Sequence, residues 1–492
     1  MRGLKVLGFL SITSTFILAA DFKGSLAGLA IGATFPGDAS YASSSAAYNQ
    51  RFSLKPAAVV YPGTPQEVSD VLKIGTSHNL KIVARSGGHS YIANGLGGRN
   101  GSILVVDMSK FSTISVNSTR GTAIIETGNR LGDVATALAE KGRAIPHGTC
   151  AFVGIGGHAA FGGFGFTSRM WGLTLDTITA VNLVLANGTI KRVTQQNNAE
   201  LFWGLRGSAP SFGIVTSYEV KSFQAPQYST IFQYSWNLNF TTAANGISAF
   251  QHFVQTNISS QLGAEITLGK GSTNGTVYFT LGGAWYGGPQ DLNSVLLPFL
   301  HQMPSEPRIS LKRGSYIQGV TELAGGSLDT KSVPDSRDTF YAKSLMTPLN
   351  SAMSETAIRA FTRYLAVTGF STDTNKEWFI QIELYGGKNS AITAVNTDAT
   401  AFAHRSSLFT MQFYASSPGR RPPFPLSGFR AVNAITSNSP ANWPYGAYIN
   451  YVDDRLADWQ SRYYGGHYER LQALKARYDP HNLFDFPTGI TK

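Results

Sequence analysis

A chain of 492 residues with 42% hydrophobic and 12% aromatic residues holds enough apolar material for more than one core, and 52 glycines with only 14% charged residues exclude a coiled coil or a disordered polyelectrolyte. The net charge of +11 admits an anionic partner, yet Lys and Arg are scattered, with one cluster at Gly419-Arg420-Arg421, which argues against a nucleic-acid surface. The lone cysteine, Cys150, excludes an internal disulfide, so its thiol is free, intermolecular or reactive.

Arg2 and Lys5 precede an apolar run ending on Ala19 and Ala20, the pattern of a secretory signal peptide over residues 1–20. The run is too short and too interrupted by Ser and Thr for an anchor, and no later apolar span of about 20 residues follows, so the mature chain is expected outside the cell and off the membrane. Sequons at Asn117, Asn187, Asn239, Asn257 and Asn274 fit secretion, although a chain rich in Asn, Ser and Thr acquires such triplets by chance.

Residues 55–225 read as short strands alternating with helices. Thr64 as N-cap, Pro65 at the first helical position and Glu67 closing a capping box predict a helix carrying Val68, Val71 and Leu72 on one face. KIVARSGG (81–88) predicts a strand running into a glycine turn, GSILVVDM (101–108) another strand, TAIIETG (122–128) a third followed by NRLGDVATALAEKG as a helix, and the Asn187-Gly188 pair a hairpin. From about residue 227 the texture changes: STIFQYSW, GTVYFTLGGAWYG, EWFIQIELYGG and SLFTMQFYASS alternate as antiparallel strands, with helical segments such as SETAIRAFTRYLAVT between them. The Pro-rich stretch 416–428 reads as a loop, and the tail as an amphipathic helix stopped at Asp479-Pro480. The fold class is α+β, a broad antiparallel sheet covered by helices beside smaller mixed sheets.

Two stretches carry candidate chemistry. In ARSGGHSY (84–91) a strand runs into Ser86, Gly87 and Gly88, a turn able to converge backbone N–H groups on a pyrophosphate, with Arg85 at hand for charge; it also reads as an ordinary glycine turn. In PHGTCAFVGIGGHAAFGGFGF (146–166), Gly154, Gly156, Gly157, Gly162, Gly163 and Gly165 suggest close approach of backbone to something flat or anionic. GIGGHA matches a dinucleotide fingerprint, with Asp176 about 20 residues on, but no clear strand precedes it and the segment is too glycine-rich to open a stable helix. The nine histidines form no H-x-x-x-H set and no G-x-S-x-G elbow is present, so a metal hydrolase and an esterase are both disfavoured, and no metal site is expected.

The motifs RSGGHSY, HGTC, VGIGGHAAFGGFGF, GLTLD, NAELFWGLRG with FGIVT, QIELYGGKNSA, YINYVDD and LKARYDPHNLF follow in order along nearly the whole mature chain. Together they resemble the berberine-bridge-type FAD-linked oxidases of the vanillyl-alcohol-oxidase fold, and among these the fungal gluco- and chitooligosaccharide oxidases. The resemblance implies an FAD-binding domain over 21–226, a substrate domain over 227–435 and a C-terminal segment, 436–492, returning to the first. It implies bicovalent FAD, with His89 on the 8α-methyl and Cys150 on C6, where the residues alone also admit an inert thiol and a hydrogen-bonded turn histidine. Arg85, Ser86, Gly87, Gly88, Ser90, Gly154, Gly156, Gly157, His158, Gly213, Ile214, Val215, Tyr448 and Asn450 fall on cofactor-contact positions. Strand alternation would put Tyr448 and Asn450 on one face and Tyr451 on the other.

By the same resemblance Tyr451 is the general base and Glu383, where the family carries aspartate, assists it. Tyr91, Phe379, Gln381 and Gln412 line the sugar groove, with Phe379 in place of a tryptophan, and Glu265 and Thr267 standing where relatives carry Arg and Glu. The implied reaction oxidises the C1 hydroxyl of a reducing-end saccharide to a lactone and reduces O₂ to H₂O₂, in a secreted protein expected to be a monomer. An alcohol or secondary-metabolite oxidase and a non-catalytic carbohydrate-binding protein are the alternatives.

Overall fold

The computed structural model describes residues 22–371, 377–417 and 430–492. The expected signal peptide, the Arg420-Arg421 cluster and the Pro-rich loop beyond Ser417 lie outside the described residues.

Strands β1 (Gly32–Thr34), β2 (Ala58–Tyr61), β3 (Lys81–Arg85) and β4 (Ile103–Asp107) form a sheet ordered β1-β2-β4-β3, parallel except for β1. Every residue of β4 is buried, as a parallel strand covered on both faces requires. The helix Pro65–Ser77 buries Val68, Val71 and Leu72. Its Thr64 hydroxyl accepts from the Glu67 N–H, while Glu67 turns back to the N–H of Gly63, one residue before the expected capping-box partner.

Strands β5 (Ile114–Asn117), β6 (Thr122–Glu126), β8 (Ile178–Leu185), β9 (Ile190–Thr194) and β10 (Gly213–Lys221) make an antiparallel sheet ordered β5-β6-β10-β8-β9. Gly188, at a φ of +81°, closes the β8–β9 hairpin where Asn-Gly predicts it. A short ladder joins β7 (Arg143–Ala144) to β11 (Phe223–Gln224).

The large sheet is antiparallel and seven-stranded, with β12 (Ser229–Asn239), β13 (Leu262–Lys270), β14 (Thr276–Trp285), β15 (Arg308–Gly314), β16 (Phe340–Pro348), β17 (Glu377–Leu384) and β18 (Ser407–Ser416) in the order β15-β12-β14-β13-β17-β18-β16. Helices Phe240–Gln255, Leu292–Leu300 and Glu355–Arg363 cover one face. Alternation in β17 sends Ile380, Ile382 and Leu384 into that core and leaves Phe379, Gln381 and Glu383 for the opposite, open face.

Side chains of the C-terminal stretch, among them Tyr448, Tyr464, Leu471 and Phe486, join the core of the first half of the chain, and so do Tyr385, Ile392, Ala401 and Phe402. We propose the division 21–226, 227–435 and 436–492 on this basis, with 385–402 reaching back across the seam. The final helix, Tyr468–Tyr478, ends where Lys475 donates to Asp479, to the Ser211 carbonyl and to the Phe484 carbonyl.

Arg405 spans the seam with two bonds to Asp176, 2.7 and 2.8 Å, and a third to Thr400; its side chain is 1% exposed. Removing one partner of such a pair strands a buried charge. Arg405→Ala is therefore expected to lower unfolding stability by about 3–5 kcal/mol, read as an earlier urea midpoint.

Candidate active site

A cavity of about 760 Å³ opens between the two glycine loops, the 448–452 turn and the uncovered face of the large sheet. The loops form its back wall. Ser86 ties them together, its hydroxyl donating to the Thr127 carbonyl and accepting from the Gly156 N–H. A Cβ on Gly87 would lie 2.5 Å from the Gly154 nitrogen, and one on Gly154 would lie 2.1 Å from the Gly87 nitrogen. Loop meets loop, backbone against backbone, with Gly88 held at a φ of +74°.

Most glycines of the second loop answer to protein neighbours rather than to a ligand. A Cβ on Gly163 would strike Thr174 and one on Gly165 the His147 carbonyl, while Gly162 packs on the Tyr448 ring. Gly157 differs: a Cβ there would meet nothing within 4 Å, so the backbone borders open cavity. Contrary to expectation, Ile155–Ala160 does form a short helix. Asn129 and Ser86 accept from its first N–H groups, and no strand leads into it. Asp176, committed to Arg405 and to the Leu173 N–H, is no ribose partner.

Two residues of the expected cofactor wall turn their side chains to protein partners. Arg85 borders the cavity, but its guanidinium is bound to Asp107 (2.6 Å) and to the Ser44 carbonyl (2.5 Å), so it braces the loop instead of offering a loose cation. Ile214 points into the core, while Gly213 and Val215 line the cavity, as strand alternation demands. Ser90 also lines it, with its hydroxyl engaged by the Asn94 N–H. His158 accepts from the Gly148 N–H at 3.1 Å; burial, then His147, push its pKa down to about 3, so its ring is a neutral scaffold acceptor.

His89 and Cys150 converge on one side, Sγ to Nε2 at 3.9 Å. Tyr48 stacks on the imidazole at 3.6 Å between centroids, and Asp335 approaches Nε2 at 3.6 Å. Burial opposes the imidazolium, but Asp335 and Cys150 outweigh it and raise His89 to about 8. Burial likewise opposes the thiolate, and the His89 hydrogen bond and charge outweigh it, lowering the Cys150 thiol. Each charged form favours the other, which makes Cys150 a better nucleophile than an isolated thiol. Tyr48 and Asp335 come from loops without a motif, and no sequence signal marked them.

On the other side the alternation reading of Tyr448–Tyr451 is overturned. Tyr448 is extended, but Ile449–Tyr451 form one 3₁₀ turn, closed by the Tyr451 N–H on the Tyr448 carbonyl at 2.9 Å. Tyr448, Asn450 and Tyr451 consequently face the same cavity. The Tyr448 hydroxyl accepts from the N–H groups of Gly163 and Phe164, both at 3.0 Å, and from Asn450 at 3.1 Å; burial still pushes its pKa up to about 12. Tyr451 donates to Glu383 Oε1 at 3.0 Å. Burial, then the Glu383 charge, hold Tyr451 far above the usual phenol range, and burial, then Glu265, hold Glu383 well above the carboxylate range.

The remaining predicted groove residues gather around this bond. Tyr91 lies parallel to Tyr451, 6.2 Å between centroids, and its hydroxyl accepts from Gln412 at 2.7 Å. Gln381 donates to both oxygens of Glu265, which also accepts from Thr267. Phe379 stacks on Tyr414 at 4.9 Å, and Tyr414 on Phe340 at 4.6 Å. Tyr414 was missed, although it shares a face with Gln412 two residues earlier.

Does this cavity fit FAD? Gly157 gives backbone access, and the His89–Cys150 pair and the Tyr451–Glu383 pair line the same cavity, which suits a reactive ring tethered by one pair and worked on by the other. Comparison with known proteins agrees. A family model described as an FAD binding domain matches residues 56–194, and one described as berberine and berberine like matches 447–491. A chitooligosaccharide oxidase of Gibberella zeae is 34% identical over 464 residues, covering 92% of this chain and 91% of that protein. A carbohydrate oxidase of Microdochium nivale is 34% identical over 506 residues, covering 100% and 99%. A solved glucooligosaccharide oxidase from Acremonium strictum, described with 6-S-cysteinyl, 8α-N1-histidyl FAD, matches with a TM-score of 0.88 at 32% identity, over 95% of this chain and 98% of that one.

Fold and cavity thus define an FAD-dependent oxidoreductase with the vanillyl-alcohol-oxidase architecture. The chain belongs to the berberine-bridge-like family of FAD-linked oxidases.

If His89 lowers the Cys150 thiol as described, His89→Ala in flavin-free protein should raise it again. Alkylation by iodoacetamide near neutral pH is expected to slow about tenfold for each unit of rise.

Proposed function

We propose that the protein is a secreted oxidase acting on the C1 hydroxyl of reducing-end oligosaccharides, giving the lactone and H₂O₂. The observation that carries this reading is the Tyr451–Glu383 hydrogen bond in the cavity that His89 and Cys150 also line. His89 and Cys150 would tether FAD twice, the Ser86–Gly88 turn and Gly154–His158 would wall it, and Tyr448 with Asn450 would border its working side. Bound there, FAD supplies the acceptor for the C1 hydride and the route for two electrons to O₂.

The chain's own part is proton handling. A phenol raised this far is protonated at rest, so Tyr451 acts as a relay: as it takes the proton of the sugar hydroxyl it passes its own to Glu383. Tyr91, Phe379 and Tyr414 offer ring faces to the sugar. The Gln381 amide donates to Glu265 and the Gln412 amide to Tyr91, and their carbonyl oxygens are left to accept from sugar hydroxyls. Substrates named for the relatives, chitooligosaccharide and carbohydrate, point the same way.

Phe379, Glu265 and Thr267 depart from the relatives' pattern, which favours a second reading, an alcohol or secondary-metabolite oxidase on the same cofactor. Secretion is supported by the N-terminal pattern, by the exposure of all five sequon asparagines, and by the finding that no helix among the described residues is long and apolar enough to cross a membrane. A monomer with no nucleic-acid or membrane partner completes the proposal.

H₂O₂ release measured across cello-, xylo-, malto- and chitooligosaccharides is expected to identify at least one substrate. Tyr451→Phe should lower turnover of that sugar by about 10²–10⁴-fold with its yellow colour unchanged. Turnover of an alcohol with none of the sugars would establish the second reading. Acid-precipitated protein is expected to keep its colour in Cys150→Ala and in His89→Ala, and to shed it only in the double variant.

A further inference from the structure

Glu265 and Glu383 are directly opposed partners in the β13–β17 ladder, and both line the cavity. Side chains so paired have Cβ atoms about 5 Å apart, and two carboxylates that close in a dry site cannot both ionise. Their surroundings are unequal. Glu265 accepts from Gln381 on both oxygens, 3.1 and 3.2 Å, and from Thr267 at 3.0 Å. Glu383, 7% exposed, accepts only from Tyr451, and its buried Oε2 has no partner. Three donor contacts hold negative charge on Glu265, while the bare Oε2 of Glu383 has place for a proton.

We infer that Glu265 is a positioning residue of the oxidation: it and Glu383 hold one proton between them, and Tyr451 can pass its proton to Glu383 only after that shared proton has left for solvent. The inference rests on the Tyr451–Glu383 relay proposed above. The proton count closes, since Glu383 gives up one proton before the reaction and receives one from Tyr451, which is refilled from the sugar hydroxyl.

Other groups around the pair do not neutralise it. The 449–451 turn brings Tyr451 and, just before it, Tyr448; the loop after β3 brings Tyr91; and the end of β17 brings Tyr385, whose buried hydroxyl has no partner. On the β14 side the facing residue is Gly282, without a side chain, and beyond it stand Gln233 and, at the sheet edge, Ser310 and Lys312. The cations bordering the region are engaged elsewhere: Lys312 with Glu322, Arg405 with Asp176, His89 with Asp335. Among the described residues neither carboxyl enters an ion pair.

The test is infrared titration of the holoenzyme, following the C=O stretch of a protonated carboxyl, assigned by its loss in Glu383→Gln. We expect the band to persist well above the ordinary glutamate value of about 4.3. In Glu265→Gln its midpoint should fall by about one pH unit or more, and the acid limb of kcat/KM should move down with it. Glu265→Asp, which keeps the charge, should hold both near wild type. A wild-type protein without that band above the ordinary range, or a Glu265→Gln midpoint that stays in place, overturns the inference. Reading the band needs no sugar to turn over. An elevated midpoint that Glu265→Gln lowers, in an enzyme that oxidises no saccharide, would therefore sink the substrate reading and leave the carboxyl pair standing.

Discussion

One hydrogen bond, from Tyr451 to Glu383, joins the two halves of this molecule at the point where chemistry would occur. Its donor belongs to a turn whose neighbours pack in the first core, and its acceptor to a strand of the large sheet. Each must be held by its own support. The turn is stitched to β16: Ser344 donates to the Tyr448 carbonyl and accepts from the Tyr448 N–H, and Tyr341 donates to Asp453, two residues past Tyr451. Asp453 in turn forms an ion pair with Lys343, Oδ2 to Nζ at 3.4 Å. The phenol is thereby fixed in place before any ligand arrives, the preorganisation that a proton relay needs.

The opposite wall is built on a different constraint. Ser86–Gly88 and the 154–157 segment approach closely enough that side chains on Gly87 or Gly154 would collide with backbone. Closeness of the loops, and not only closeness to a cofactor, explains why so many glycines cluster here. With the loops locked, Cys150 stays accessible beside His89, and the imidazole is pinned by Tyr48 and Asp335. That a single thiol persists in a chain of 492 residues is then a matter of placement: it stands beside a cation at a cavity fitted for a flavin.

Local signals in the sequence translated well. Thr64-Pro65, Asn187-Gly188 and the alternation of β12, β14, β17 and β18 each report on a few neighbouring residues, and each element formed where those signals put it. Strand β15 escaped notice because it is an exposed edge carrying Arg308, Lys312 and Arg313, and β16 because Lys343 and Ser344 interrupt its apolar run to meet Asp453 and Tyr448. The site was legible chiefly as motifs. What those motifs hid is non-local: the 3₁₀ turn that brings Tyr451 round beside Tyr448, the bonds that bind Arg85 to Asp107 and Ser44, and the strand register that sets Glu265 against Glu383. Pairing register across more than a hundred residues leaves no trace in a local pattern.

The relay is most directly examined by a double-mutant cycle on Tyr451 and Glu383, reading the rate of anaerobic flavin reduction by an accepted substrate. If one proton path runs through both residues, the Tyr451→Phe, Glu383→Gln double variant should be no slower than the slower single variant. Losses that simply multiply would show two independent contributions and contradict the account.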